Sequence, residues 1–250
     1  MLFNALRRQI RTLLEHSLTV YWAVRAPHIL SRARSTARLL EIGCGSGTWT
    51  SHLAAQTGTL VTLDLQPERV AATRRRTERN GRANVLFLTA SGEQLPLRNG
   101  SFDRVISVDV IEHIPDDGKT MREIARVTRS GGDVLLTTLL EARPAYLRNV
   151  VFADHLREYE PDAFAQLFRQ GGLEERERFF FYYVWSIVAA EIQRLAQKPL
   201  GEVRLIGVGL RALLSLLARF DRLLPLGRPG GIGIVARKPD LADHSVAEVG

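Results

Sequence analysis

Cysteine is almost absent from this chain of 250 residues, in which Cys44 is the only example. A single cysteine excludes an internal disulfide framework and a cysteine-based zinc cluster. Lysine is scarce as well, since only Lys119, Lys198 and Lys238 accompany the arginines that make up the rest of the 34 basic residues. Because Cys44 lies inside a glycine-rich turn, we interpret it as a small buried residue rather than a nucleophile.

Long uncharged hydrophobic runs are also missing, so no stretch is expected to span a bilayer. Three arginines between positions 7 and 11 interrupt any signal-peptide core, and we therefore expect a cytoplasmic protein. The net charge of +7 favours an anionic partner, such as a membrane surface, a nucleic acid or an acidic substrate.

The stretch Leu39–Leu53, LLEIGCGSGTWTSHL, has the pattern of a buried strand, a glycine turn and a helix start. Gly43, Gly45 and Gly47 occupy every second position of the turn, where a Cβ would keep a ligand away from the backbone. Such a turn presents backbone N–H groups and a helix N-terminus to a ligand. Glu41 directly before the turn would attract a cationic amino group and repel a pyrophosphate, which argues against a dinucleotide site.

Polar residues follow the next apolar runs of the chain, and these runs alternate with segments of helical periodicity. This alternation is typical of βαβ units and a parallel sheet, which binds its ligands at the carboxyl ends of the strands. Glu41, Asp64, Ser91 and Asp109 all fall at such ends, so we expect them to share one site. We predict strands at 39–42, 59–63, 84–88, 102–108, 134–139, 174–183 and 230–238, and helices at 2–30, 67–79, 117–128, 162–170, 186–197 and 203–224.

Five motifs, LLEIGCGSG, VTLDLQ, ASGEQLPLRNGSFDRVIS, DVIEHI and RVTRSGGDVLL, together resemble class I S-adenosylmethionine-dependent methyltransferases of the small-molecule type. The resemblance extends from about residue 39 to about residue 140 and points to the ubiquinone and menaquinone biosynthesis methyltransferases. It implies a Rossmann-like α/β fold with a seven-stranded, mostly parallel sheet, helices on both faces and an antiparallel last strand. We expect an N-terminal helix and a helical insertion before the last strand in addition.

The resemblance implies S-adenosylmethionine as the cofactor and assigns a part of it to each strand end. The segment from Glu41 to Gly47 would hold the methionine end, Asp64 the ribose hydroxyls and Leu65 one face of the adenine. Ser91 stands where the family has an acid, and its hydroxyl is a weaker acceptor for the adenine amino group. The implied cofactor-binding residues are Glu41, Gly43, Cys44, Gly45, Gly47, Asp64, Leu65, Ser91, Gly92, Glu93, Val108 and Asp109.

An oxygen acceptor would need a base, and the candidates are His113, Asp109 and His155. In many members of the family the Glu-His pair after strand four is structural, so His113 has two interpretations. We assign no metal ligands, although Asp109, Glu112 and His113 resemble the carboxylate–carboxylate–histidine cluster of metal-requiring quinone O-methyltransferases.

Residues 184–226 exceed the minimal fold and have a wide apolar helical face, which would pack on the core, form a homodimer or contact a membrane. Pro27 is expected to separate the N-terminal helical segment from the next segment. We divide the chain into an N-terminal helical segment (1–30), a cofactor-binding core (31–183), a helical insertion (184–226), the last strand (227–238) and a disordered tail (239–250).

The sequence therefore favours methyl transfer, by O- or C-methylation, to a small apolar or aromatic acceptor. One alternative is an RNA methyltransferase, which the positive charge permits, although no separate RNA-binding module is recognisable and no nucleic-acid partner is expected. The other alternative is a cofactor-binding protein without turnover, since neither Ser91 nor the candidate bases guarantee catalysis.

Overall fold

The computed structural model describes residues 20–34, 36–141, 155–196 and 204–240. Most of the predicted N-terminal helix and most of the predicted tail lie outside these residues. Within the described residues, the strands form one seven-stranded sheet in the order β3-β2-β1-β4-β5-β7-β6. They are β1 (Thr36–Ile42), β2 (Thr57–Asp64), β3 (Val85–Thr89), β4 (Phe102–Val108), β5 (Thr128–Leu139), β6 (Glu174–Phe181) and β7 (Gly231–Arg237).

Strands β1 to β5 pair in parallel, and β7 runs antiparallel to β5, so the predicted fold class is confirmed. The parallel strands carry nearly continuous apolar side chains because helices cover both faces of such a sheet. The helices are α1 (Val20–Ala33), α2 (Thr50–Ala54), α3 (Pro67–Arg79), α4 (Asp117–Val127), α5 (Pro161–Gln170), α6 (Val184–Ala196) and α7 (Arg204–Ala218).

Local sequence explains where several helices begin. Pro67 and Pro161 occupy the first turns of α3 and α5, where a missing N–H costs no helical hydrogen bond. Asp116 caps α4, because its side chain accepts a hydrogen bond from the Lys119 N–H at 2.7 Å.

The last strand fits closely against its neighbours because it contains glycine. A Cβ on Gly233 would lie 2.1 Å from the Phe179 Cζ, so the aromatic ring occupies the space that any side chain would need. At the other end of the pairing, Arg237 forms an ion pair with Asp133 of β5, with the Arg237 Nε and the Asp133 Oδ1 3.1 Å apart. The contact with Phe179 and the pairing with β5 together position β7 in the sheet.

The described chain divides into two compact units. One contains residues 32–179 and 231–240, with the sheet core, and the other contains residues 20–31 and 180–230. In the second unit Arg25 is 1% exposed, and its guanidinium lies 4.5 Å from the ring centroid of Phe181 and 4.9 Å from that of Tyr182. These cation–π contacts stabilise a charge that has left water.

The prediction that Pro27 separates the N-terminal helical segment from the next segment was wrong, because α1 continues through Pro27 to Ala33. Proline removes one helical hydrogen bond. Buried side chains on both sides, Val24 and Ile29, nevertheless hold the two halves in one helix. Tertiary packing therefore overrides the local signal.

Two predicted ends in the region 174–224 were also wrong. Strand β6 ends at Phe181 rather than at 183, because Tyr182 takes a left-handed conformation with φ 62 that cannot continue a strand. Helix α7 ends at Ala218, and a 3-10 turn, Arg219–Arg222, replaces the rest of the predicted helix. The tighter turn lets the buried Asp221 carboxylate accept hydrogen bonds from the backbone N–H groups of Tyr183 and Trp185 at 2.9 and 3.0 Å.

Candidate functional site

The register of the sheet brings the carboxyl ends of four parallel strands to one edge. Ile42 at the end of β1 aligns with Leu63 of β2 and with Ser107 of β4. Asp64 at the end of β2 aligns with Thr89 of β3. Since β1 lies between β2 and β4, the chain leaves β1 at a point where the strand order reverses, which is where open α/β sheets bind ligands.

The glycine turn after β1 has a backbone conformation that requires glycine. Gly43, Gly45 and Gly47 have φ values of 82, 50 and 74, in the left-handed region. A Cβ on Gly43 would lie 2.3 Å from the Cγ2 of Val110, so this glycine also permits close packing between the turn and the end of β4. The left-handed φ values and the missing Cβ of Gly43 together allow the turn to pack against the strand ends.

Cys44 lies in this turn as the sequence predicts, with 4% of its surface exposed. Its N–H donates to the carbonyl of Leu63 at 2.9 Å, as does the Gly43 N–H at 2.8 Å. Burial raises the pKa of the Cys44 thiol to about 12. A thiol with so high a pKa is protonated at neutral pH, which excludes a nucleophilic role.

Asp64 connects the end of β2 to the glycine turn. Its Oδ2 accepts a hydrogen bond from the Gly45 N–H at 2.9 Å, and its Oδ1 accepts one from the Gln66 N–H at 3.0 Å. A carboxylate offers about four acceptor positions, so each oxygen retains one for a ligand hydroxyl. The next residue, Leu65, is 70% exposed, and its apolar side chain is available to a flat ligand.

Glu41 is buried at the end of β1 beneath the turn. Its Oε2 accepts hydrogen bonds from the hydroxyls of Thr50 and Thr62, both at 2.7 Å. Burial nevertheless raises the pKa of Glu41 to about 7, because desolvation penalises the charged form more than the two hydroxyls stabilise it. The site therefore contains a carboxyl group that changes charge near neutral pH.

The loop after β3 is fixed by its own side chains. The Ser91 Oγ accepts a hydrogen bond from the Glu93 N–H at 3.1 Å, and the Glu93 Oε1 accepts one from the Asp116 N–H at 2.8 Å. A Cβ on Gly92 would lie 3.0 Å from the Cδ1 of Ile114, so glycine permits the close approach of this loop to the next segment. The Glu93 side chain therefore has a structural role.

Asp109 follows β4 in a strained conformation. Its φ is 55, in the left-handed region that residues other than glycine rarely adopt. Two hydrogen bonds hold it there, from the Asp109 N–H to the carbonyl of Thr137 at 3.1 Å and from the Thr137 hydroxyl to the Asp109 Oδ1 at 3.0 Å. Val108, the last residue of β4, precedes it and is partly exposed.

The structure brings Glu112, His113 and His155 together directly after Asp109. Potential ligand atoms of the three side chains all lie within 4.8 Å of one another. The two imidazole rings are in T-shaped contact with centroids 4.7 Å apart. The cluster that the sequence suggested contained Asp109, whereas the three clustered side chains include His155 in its place.

Arg157 anchors the segment that carries His155, and sequence analysis missed it. Its guanidinium donates to the carbonyls of Ile114 and Pro115 at 2.8 and 2.6 Å, and it forms an ion pair with Asp117 at 3.0 Å. The sequence HLREYEP contains this arginine, but nothing local indicates that its partners lie about forty residues earlier.

Three threonines that support the site were also missed. Thr50 and Thr62 hold Glu41, and Thr73 donates to the carbonyl of Gly45 at 3.2 Å. Buried threonines occur in many cores, so the only available signal was their position next to the motifs.

Comparison with known proteins identifies a domain within the chain. Residues 40–136 match the family described as methyltransferase domain. The chain is 30% identical over 153 residues to the ubiquinone biosynthesis O-methyltransferase of Aromatoleum aromaticum, covering 56% of this chain and 65% of that protein. It is 27% identical over 214 residues to the demethylmenaquinone methyltransferase of Lactococcus lactis, covering 71% of this chain and 84% of that protein.

Among solved structures, the 4+2 cyclase SpnF has a TM-score of 0.62 at 19% identity, covering 86% of this chain and 80% of that one, and it shows the same fold. Residues 40–136 are therefore a class I S-adenosylmethionine-dependent methyltransferase domain that resembles those of quinone biosynthesis enzymes. S-adenosylmethionine is the cosubstrate of this domain. The chain spans less than two thirds of the length of the Aromatoleum aromaticum relative.

Proposed function

We propose that this protein transfers a methyl group from S-adenosylmethionine to a small aromatic acceptor, with a quinol or related phenol as the best candidate. Relatives named for ubiquinone and menaquinone biosynthesis support this acceptor class. The observation that carries the proposal is the contact between His113 and His155, because two imidazoles at the end of β4 supply a base for a phenolic proton.

In this proposal each strand end contacts a different part of S-adenosylmethionine. Asp64 accepts the ribose hydroxyls, Leu65 packs on the adenine, and the backbone of Gly92 and Glu93 reaches the adenine edge, with Ser91 as a weak acceptor beside it. Val108 and Asp109 flank the sulfonium. The remaining residues hold the methionine end, and they are Glu41, Gly43, Cys44, Gly45 and Gly47.

S-adenosylmethionine supplies a methyl group that is already activated, so the protein mainly has to orient the acceptor and remove its proton. His113 or His155 accepts the phenolic proton as the acceptor oxygen attacks the methyl carbon in line with the carbon–sulfur bond. The rings are 4.7 Å apart, so the second imidazole can stabilise the protonated first. Asp109 is held by Thr137 and keeps the end of β4 in place.

Replacing both histidines, as His113→Gln with His155→Gln, is expected to lower the kcat for phenolic acceptors at least about 100-fold, because a positioned base contributes about that much. The affinity for S-adenosylmethionine is expected to remain unchanged. The measurement is methyl transfer from labelled S-adenosylmethionine to catechols and hydroquinones, with the methylated atom assigned by NMR, and calorimetry for cosubstrate binding. His28→Gln, in the other compact unit, is the matched control.

Other outcomes of this assay would contradict the proposal. Methylation of tRNA but not of phenols would identify an RNA methyltransferase. Binding of S-adenosylmethionine with no methylated product would identify a cofactor-binding protein without turnover. The similar structure of SpnF is described as a cyclase, so the fold alone does not define the reaction. A C-methylated product that does not need either histidine would remove the base from the mechanism.

A divalent cation is a second route to the same O-methylation. Glu112, His113 and His155 fit such an ion, because their ligand atoms lie within 4.8 Å of one another and one carboxylate with two imidazoles is a common transition-metal donor set. The cation would polarise the acceptor oxygen. Activity that is lost in EDTA and restored by added metal would assign the cluster to the cation, and activity unchanged in EDTA would assign it to the base.

Binding of S-adenosylmethionine is expected to weaken about fivefold between pH 7 and pH 6, because Glu41 has a pKa of about 7 and only its charged form attracts the methionine ammonium. Binding then lowers the pKa of Glu41, so a proton is released near pH 6.5. Calorimetry in buffers of different ionisation enthalpy measures that proton.

The control for this prediction is Glu41→Gln, which keeps acceptor capacity for Thr50 and Thr62 and removes the charge. Its affinity for S-adenosylmethionine is expected to be weak and independent of pH between 6 and 8. A pH dependence that persists in Glu41→Gln would show that a different group titrates.

A further inference from the structure

Exposed large apolar side chains are concentrated in the unit formed by residues 20–31 and 180–230. Apart from Leu65, Leu86 and Leu156, every large hydrophobic side chain exposed in the described part of the chain lies there. A soluble surface rarely leaves so many together unless something covers them. They are Tyr21, Val184, Val188, Ile192, Leu213, Leu216, Phe220, Leu223, Leu224 and Leu226.

Four of these, close together in sequence, form what we call the leucine patch, defined as Phe220, Leu223, Leu224 and Leu226. Their exposed fractions are 43%, 74%, 53% and 51%. The backbone beneath them is ordered by hydrogen bonds, with the N–H groups of Leu223 and Leu224 donating to the carbonyl of Phe220 at 3.0 and 2.8 Å. The apolar side chains are therefore presented on a fixed turn.

The leucine patch is joined to the beginning of α6. Asp221 points inward and accepts the N–H groups of Tyr183 and Trp185, and the Val184 N–H donates to the carbonyl of Leu226 at 3.2 Å. These bonds fix both sides of the patch within the same compact unit.

The exposed charged residues within the described segment 219–228, which contains the leucine patch, are all arginines. Arg219, Arg222 and Arg228 are exposed, whereas Asp221 is 6% exposed and its carboxylate is used by backbone N–H groups. Within the residues that the structure describes, none of these three arginines forms an ion pair with a carboxylate. Exposed leucines that are flanked in sequence by exposed arginines match the headgroup and upper acyl region of an anionic membrane.

A second copy of the chain fits this surface less well. A two-fold contact brings the same surface of both subunits together, so the arginines of one copy would approach those of the other. Like charges brought together at an interface weaken it.

We propose that the leucine patch docks on a lipid bilayer that contains anionic headgroups, with the leucines inserted among the acyl chains and the arginines at the phosphates. No helix in the described part of the chain is long and apolar enough to cross a membrane, so this contact would be peripheral.

The test is co-sedimentation of the full chain with vesicles. We expect binding to phosphatidylcholine vesicles that contain phosphatidylglycerol, weaker binding to phosphatidylcholine alone, and loss of binding as salt increases. The double variant Leu223→Ser with Leu224→Ser is expected to reduce partitioning at least about tenfold, because two apolar side chains no longer leave water. Arg219→Gln with Arg222→Gln is expected to reduce it similarly, but only on vesicles that contain phosphatidylglycerol.

Leu86→Ser is the matched control, since Leu86 is 59% exposed in the other compact unit and should leave partitioning unchanged. Binding of S-adenosylmethionine verifies that every variant is folded. The proposal is overturned if the chain binds neither kind of vesicle. It is also overturned if sedimentation equilibrium shows a dimer that the leucine substitutions dissociate. Because these measurements need no methyl acceptor, their outcome is independent of the proposed function.

Discussion

Asp64→Asn is expected to weaken S-adenosylmethionine binding about 100-fold, because in the proposed function Asp64 accepts charge-assisted hydrogen bonds from two ribose hydroxyls, and the substitution removes them. The two oxygens of Asp64 accept from the N–H groups of Gly45 and Gln66. An amide has only one acceptor oxygen, so its NH₂ group would face one of these N–H donors. The substitution would therefore disturb the glycine turn as well as the ribose contact. Isothermal titration calorimetry with S-adenosylmethionine measures the loss.

Asp162→Asn is the matched control for this prediction. The Asp162 side chain is 94% exposed and pairs with Arg178 far from the strand ends, so its loss should change neither affinity nor stability by more than about 0.5 kcal/mol. Unchanged affinity in Asp64→Asn would show that this acid does not contact the cosubstrate, and the assignment of the strand ends would then fail.

Gly43→Ala is expected to destabilise the protein by about 2–4 kcal/mol and to weaken S-adenosylmethionine binding at least about tenfold. The φ of Gly43 is 82, which an L residue adopts only with strain. The new Cβ would also lie 2.3 Å from the Cγ2 of Val110, so the turn or the end of β4 must move. Chemical denaturation and calorimetry measure the two effects.

Two further variants distinguish the cost of the left-handed backbone from the cost of the steric clash with Val110. Gly81 has a φ of 69 and open space where a Cβ would lie, so Gly81→Ala should cost only the conformational term, about 1 kcal/mol, and leave cosubstrate binding intact. Adding Val110→Ala to Gly43→Ala removes the colliding methyl groups and should recover part of the affinity. No recovery in that double variant would mean that the Cβ of residue 43 meets the cosubstrate itself.

The sheet and the glycine turn could be predicted because their signals are local. Strand β4 was predicted with both ends correct, at Phe102 and Val108, since the segment FDRVISV is rich in β-branched and aromatic residues. Asp64 was predicted at the tip of the second strand and is its last residue. The family resemblance supplied the antiparallel direction of β7, which periodicity alone does not specify.

The unpredicted features depend on partners that are distant in sequence. The raised pKa of Glu41 results from complete burial, and its hydroxyl partner Thr62 lies on a different strand. His155 contacts His113 because Arg157, two residues further on, donates hydrogen bonds to the carbonyls of Ile114 and Pro115. Helix α7 ends at Ala218, and the turn that follows it places the Asp221 carboxylate where it accepts a hydrogen bond from the Trp185 N–H at the start of α6. In each case tertiary structure decides between local conformations that the sequence leaves nearly equal.

The position of β7 between β5 and β6 has a consequence for synthesis of the protein. Residues 231–237 pair with residues 133–139, so the sheet is incomplete until residues 231–237 have left the ribosome. Strand β6 is made earlier but has no neighbour in the sheet before β7 arrives. The nascent chain therefore carries an open strand edge at β5 while residues 184–226 are translated, and this interval is when a chaperone would be of most use.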